Sequence, residues 1–163
     1  MSSGLSQLKG LIRNLKKIDT VMQAEISKFI RRESKNLVKL NIVNLLNGID
    51  SKGVPLRFKK NRTTSLNFSK AYTAAYAKLK ARRGGQTEHV DLRLFGGFHK
   101  SIEIVEVEHG KFVFISTSDI FPYLVANYGE EILGVTEEQM QEFLKGKLKP
   151  FLENGLAAKL IPR

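Results

Sequence analysis

From Leu5 to Asn47 the chain has no proline and only Gly10 interrupts it, while Leu8, Leu11, Ile12, Leu15, Ile18, Met22, Ile26, Phe29 and Ile30 recur at steps of three and four. That spacing puts them on one side of a helix and predicts a long helical stripe. Leu37, Leu40 and the pair Leu45 and Leu46 continue the stripe past a polar patch from Arg31 to Asn36, where a bend is expected, and Gly48 is the expected stop. Unbroken, this helix would run about 60 Å at about 1.5 Å per residue, more than the width of a domain of this chain length. Part of it must therefore project, break or pack on another subunit, and the pattern leaves open whether it is one helix or two.

After the stripe, Asp50-Ser51-Lys52-Gly53-Val54-Pro55 reads as a turn, because Gly53 permits a positive φ and Pro55 holds Val54 extended. The stretch through Lys59, Lys60, Asn61, Arg62, Thr63, Thr64 and Ser65 has no period and is expected to be an exposed arm. Asn67 or Ser69 is placed to cap a short helix through Tyr72, Tyr76 and Leu79, which Gly84 and Gly85 would end.

Beyond Gln86 the period changes to two. Val90, Leu92 and Leu94 alternate with Asp91 and Arg93, and Ile102, Ile104 and Val107 are expected to face away from Glu103, Glu106 and Glu108. His109 and Gly110 predict a hairpin turn into Lys111-Phe112-Val113-Phe114-Ile115-Ser116-Thr117. Asp119 is a candidate cap for a helix with Pro122 in its first turn that stops at Gly129. Thr136-Glu137-Glu138-Gln139 fits a capping box for a last helix carrying Met140, Phe143, Leu144, Leu148, Phe151 and Leu152, with a kink at Pro150. The expected fold is α+β in a single domain: a long helix over 1–48, a basic arm and short helix over 49–87, an antiparallel sheet over 88–118 and C-terminal helices over 119–163.

The 163 residues hold no cysteine, which removes disulfides, thiolate metal sites and thiol nucleophiles together. No apolar run approaches the roughly 18 residues of a membrane span, so no membrane partner is expected. Met1-Ser2-Ser3-Gly4 lacks the regions of a signal peptide, which predicts a protein that is cytosolic or is assembled in a cytosol. The net charge of +11 is uneven: residues 1–50 carry 9 basic and 4 acidic side chains, residues 51–87 carry 10 and 0, and residues 88–163 carry 8 and 12. Ten cations without a carboxylate, interleaved with Phe58, Phe68, Tyr72 and Tyr76, have the composition to track phosphates and stack on bases. They equally suit an arm that clamps an acidic neighbour, or a solvated loop kept soluble by repulsion. The candidate contact residues are Arg57, Lys59, Lys60, Arg62, Lys78, Lys80, Arg82 and Arg83, and a nucleic-acid module using residues 52–83 is the alternative to protein assembly.

Catalytic patterns fail on spacing. His89, His99 and His109 recur every ten residues, whereas strand ligands need two and helical ligands three or four. Asp91, His99 and Ser101 are the residue types of a hydrolase triad, but Ser101 lacks the glycine-flanked elbow. A metal nuclease would draw on Glu106 and Glu108, with Glu103 on the opposite strand face; a solvated strand face accounts for them without metal. Gly96 and Gly97 have neither the further glycine nor the downstream acid of a dinucleotide fold. No enzymatic activity, metal or cofactor is expected.

The segment from Val90 to Ile102 resembles the central pattern of tailed-bacteriophage virion-morphogenesis and tail-completion proteins, with Leu94, Gly97, Phe98, Ser101 and Ile102 at matching positions and Gly96 where that family commonly has threonine. The turn from Asp50 to Pro55 is similar to an upstream turn of the family, followed by Tyr76, Lys78 and Gly84. The stretch from Ser118 through Tyr123, Ala126, Asn127, Tyr128 and Gly129 resembles its downstream helix. The resemblance implies a component of the head-to-tail connection: a ring of identical subunits in the virion, assembled in the host cytoplasm. It further implies docking to portal, connector or tail proteins and transient contact with genomic DNA.

Overall fold

The computed structural model describes residues 3–57, 72, 74–93, 95–108 and 110–160, with the side chains of 3–8, 10–15 and 156–160 outside the description. The predicted arm over 58–71, including Lys59, Lys60 and Arg62 and the cap candidates Asn67 and Ser69, lies outside the described residues, as do Leu94 and His109. The elements in order are helix α1 (Ser3–Leu46), α2 (Ala74–Ala81), the one-turn helix α3 (Gly97–Lys100), strands β1 (Ile102–Glu108) and β2 (Lys111–Ser116), α4 (Phe121–Tyr128), a 3-10 turn (Glu130–Ile132), α5 (Glu137–Phe143), a π turn (Leu144–Leu148) and α6 (Lys149–Leu160). The fold is α+β, with a long N-terminal helix, one two-stranded antiparallel sheet and C-terminal helices.

Helix α1 is a single element of 44 residues, which is about 66 Å of helix. It ends where the glycine predicts. Gly48 takes φ +74°, its N–H donates to Leu45 O at 3.0 Å, and the Ile49 N–H donates to Asn44 O at 3.0 Å, so the last carbonyls are satisfied by a left-handed cap. The turn after it closes on Asp50, whose Oδ1 accepts the N–H groups of Lys52 and Val54, both at 2.9 Å. Helix α2 ends in the same way as α1: Gly84 has φ +71°, and the Gly84 and Gly85 N–H groups donate to Ala81 O and Lys80 O.

Two compact units divide the chain. One takes in the described residues of Met1–Glu33, Glu106–Phe112 and Glu142–Arg163, the other Ser34–Val105 and Val113–Gln141. The second unit holds a core of Leu45, Leu56, Val90, Phe98, Ile102, Leu124 and Ile132. Asn41 and Asn44 of α1 are buried there because each has polar partners: Asn41 Nδ2 donates to Ile132 O (3.0 Å) and Gly134 O (2.8 Å), and Asn44 exchanges two 2.8 Å bonds with the Gln139 amide. Gln139 also completes the predicted capping box, with Thr136 N–H donating to Gln139 Oε1 and Gln139 N–H donating to Thr136 Oγ1. In the first unit Phe29 is fully buried between the rings of Phe143 and Phe151, with centroids 5.4 and 5.0 Å away. The Arg32 guanidinium lies over Phe29 and Phe151, and Lys147 pairs with Glu33 at 3.1 Å.

Several expectations are corrected. Residues 90–93 form no strand, so the sheet is one hairpin and does not begin at 88. Leu92 has φ +53°, and the Asp91 carboxylate accepts the Arg93 N–H at 2.9 Å, so an Asx turn bends the backbone where alternation suggests extension. On β1, Val107 is exposed rather than facing inward, and by strand alternation it shares a side with Glu103 while Glu106 shares the side of Ile102 and Ile104. The cap of α4 is Ile120 rather than Asp119, with no side-chain cap bond, and Pro122 opens the helix as expected. Tyr72 lies outside α2. The disturbance expected at Pro150 takes the form of the π turn just before it, in which Lys149 N–H reaches back to Leu144 O; Pro150 has no N–H for the turn and its ring crowds the preceding one.

Candidate functional site

Asp91 lies between Val90 and Leu92, and it is buried. A buried charge must be paired. Its partner is Lys80 in the last turn of α2, only 2% exposed, whose ammonium contacts Asp91 Oδ1 and donates to the Tyr72 hydroxyl at 2.9 Å. The Tyr72 hydroxyl donates to Asp91 Oδ1 and accepts the Asp91 N–H, both at 3.0 Å, so every member has a polar partner. Glycine makes room for the lysine stem, since a Cβ at Gly85 would lie 2.8 Å from Lys80 Cγ. Burial alone would raise the Asp91 carboxyl, but the Lys80 ammonium, the Arg93 N–H and the Tyr72 hydroxyl outweigh it and hold Asp91 below the usual carboxylate range. Burial also pushes the Tyr72 hydroxyl up.

This pair ties the end of α2 to the turn at Asp91 and Arg93. On the outer side of the tie, the Arg83 guanidinium sits 4.1 Å from the centroid of Phe95, which is 74% exposed. Arg93 extends along the same turn, with its Nε 4.0 Å from the position a Cβ would take on Gly96. Gly96, at φ +76°, turns the chain into α3. Phe98 then enters the core and stacks on Phe121 of α4 at 6.2 Å, and Ser101 Oγ donates to Phe98 O at 2.7 Å while bonding Ser116 Oγ across the hairpin. Ile102 is buried at the start of β1.

The sequence-predicted contact residues therefore part company. Arg57, Lys78, Arg82 and Arg83 are exposed. Lys80 is corrected: as a buried partner of Asp91 it presents no charge to phosphate or to another chain. Tyr72 is likewise occupied, packed on Tyr76 with ring centroids 5.2 Å apart. Phe95, absent from the sequence-based contact set, is the exposed aromatic that the fold brings to Arg83, and Arg93, likewise absent from that set, is exposed. The available signal was the carboxylate Asp91 between Val90 and Leu92, which would need a cation only if buried; nothing in the spacing says that it is buried or which lysine would pair with it.

Among the described residues the Asp91, His99 and Ser101 triad is not assembled, and His109 of the histidine series lies outside them. Neither His99 ring nitrogen has a hydrogen-bond partner among the described residues, and Ser101 is engaged with Phe98 and Ser116 rather than with His99. Glu106 is taken by the Gly110 N–H at 2.9 Å, by Arg31 and by Ser27, which together hold its carboxyl below the usual range, and Glu108 lies 3.8 Å from Lys111. Among the described residues no group of three or more histidines and carboxylates is placed to hold a metal, and no helix is long and apolar enough to cross a membrane. No family model matches the chain, and neither the curated proteins nor the solved structures contain a significant match to it.

Proposed function

We propose that this chain is a structural virion protein of the head-to-tail connection, of the neck or tail-completion type. It is no enzyme on this reading: it acts by assembling into a ring and docking to portal, connector or tail proteins, first in the host cytoplasm and then in the virion. The order of the sequence motifs from Asp50 to Gly129 supports the class.

The observation that carries the assembly reading is the apolar surface at the start of α4, within that resembling stretch, where the cap residue Ile120 is 51% and Tyr123 of the helix is 61% exposed. Large apolar side chains held in water at a helix surface favour association with another protein. Helix α1 adds to it, since every side chain from Lys16 to Thr20 is exposed, Ile18 among them. In the ring, the basic arm of one copy meets the more acidic surface of the next.

Mass photometry of the purified protein, alone and with its neighbouring virion proteins, tests this. A discrete ring or co-complex is expected, lost when Lys59, Lys60 and Arg62 are reversed to Glu and weakened by Tyr123→Ser. A wild-type chain that stays monomeric with and without those partners would remove the proposal, and unchanged assembly of the triple reversal would remove the arm from it.

A further inference from the structure

We propose a binding site for single-stranded nucleic acid centred on the Arg83–Phe95 pair, with the exposed Arg82 beside Arg83 in sequence and Arg93 at the same turn as Gly96. The site goes beyond assembly and does not depend on it.

The geometry supplies two different contacts. Arg83 covers one side of the Phe95 ring at 4.1 Å, yet the ring remains 74% exposed, so its other side is open to a flat partner. Arg82, Arg83 and Arg93 are exposed, and among the described residues none pairs with a carboxylate. Unpaired guanidinium groups bind phosphate by paired N–H donors, and an aromatic face beside them stacks on a base. An anion that repeats next to a flat ring is a nucleotide chain. A duplex keeps its base faces stacked inside, so the open ring of Phe95 selects a single strand. An acidic peptide would satisfy the arginines and leave Phe95 without a stacking partner.

The face is also fixed before any ligand arrives. The buried Lys80–Asp91 pair joins α2 to the turn at Arg93, and the same Asp91 carboxylate accepts the Arg93 N–H. Arg83 and Phe95 are thus held by a tie with no exposed part, which limits the ordering cost of binding. Of the aromatics expected in the sequence to stack on bases, Tyr72 and Tyr76 pack on each other, Phe58 and Phe68 lie outside the described residues, and Phe95 supplies an exposed ring.

The test is fluorescence anisotropy of the full chain with a labelled single-stranded oligothymidine and with a duplex of the same length, over a series of salt concentrations. Binding of the single strand is expected, with a log-log salt slope of about −0.7 per phosphate contact. Phe95→Ala should weaken it about ten-fold at every salt concentration, at unchanged slope, because stacking releases no counterions. Arg83→Gln and Arg93→Gln should each make the slope shallower by about 0.7. These side chains are exposed, and unchanged circular dichroism of each variant shows that the fold persists. No measurable binding would overturn the proposal, and so would duplex binding as tight as single-strand binding with Phe95→Ala silent, which would show only the attraction of a cationic chain. Loss of self-association in Phe95→Ala with oligonucleotide binding intact would overturn it in favour of a protein contact. Because assembly is read from mass and this site from oligonucleotide affinity, either can fail while the other stands.

Discussion

His99 lies buried on α3 beside Phe98, and neither of its ring nitrogens is hydrogen-bonded among the described residues. Burial lowers its pKa below the usual value; Arg93 and Lys80 push the same way, while Asp91 opposes them. The unfolded chain therefore takes up a proton at a higher pH than the folded chain does. Stability contributed by neutral His99 is full above the unfolded pKa of about 6.5 and is lost as pH falls from there toward the folded value. Thermal melts should show the midpoint beginning to drop as the pH falls below about 6.5, above the range in which carboxylates titrate. His99→Leu should flatten that segment, and an unchanged slope would mean that another group produces it. None of this is legible in the sequence, where His99 is one of three regularly spaced histidines; the charged groups around it, Asp91, Arg93 and Lys80, are brought there by the fold.

At the scale of elements, the ends of helices were readable and the extent of the sheet was not. Gly48, Gly84 and Gly129 stop helices because the left-handed or otherwise non-helical backbone they adopt is a local property of glycine, and the Thr136 box works within four residues. The run from Val90 to Arg93 alternates like a strand, but alternation cannot distinguish a carboxylate facing water from one facing a buried lysine. The two kinds of glycine differ in what a methyl group would meet. Gly96→Ala should cost only the left-handed strain, roughly 1–2 kcal/mol, since nothing lies closer than 4.0 Å. Gly48→Ala carries the same strain and also drives a Cβ to 2.5 Å from the His89 ring, whose Nε2–H donates to Leu46 O at 2.6 Å. Urea denaturation should therefore rank Gly48→Ala as clearly the more damaging; equal midpoints would show that His89 moves aside without loss.

At the scale of the whole molecule, charge that is segregated in the sequence becomes selective in space. Of the predicted contact cations that are described, Arg57, Lys78, Arg82 and Arg83 stay in water while Lys80 is consumed inside, so counting basic residues overstates the surface available to a partner. The α+β order and the long helix were visible because periodicity runs over many residues. The face at Arg83 and Phe95 was not, because it is made by an ion pair between residues eleven positions apart.

That ion pair also makes Lys80 a chemical clock. An amine-reactive acylating reagent needs a free, solvated nitrogen, which Lys78 offers at once and Lys80 offers only when α2 separates from Asp91. Peptide mass spectrometry over a time course should show Lys78 modified quickly and Lys80 slowly. The ratio of the two rates measures how often the region opens, with no mutation introduced. Equal rates would mean that Lys80 is not shut away in solution.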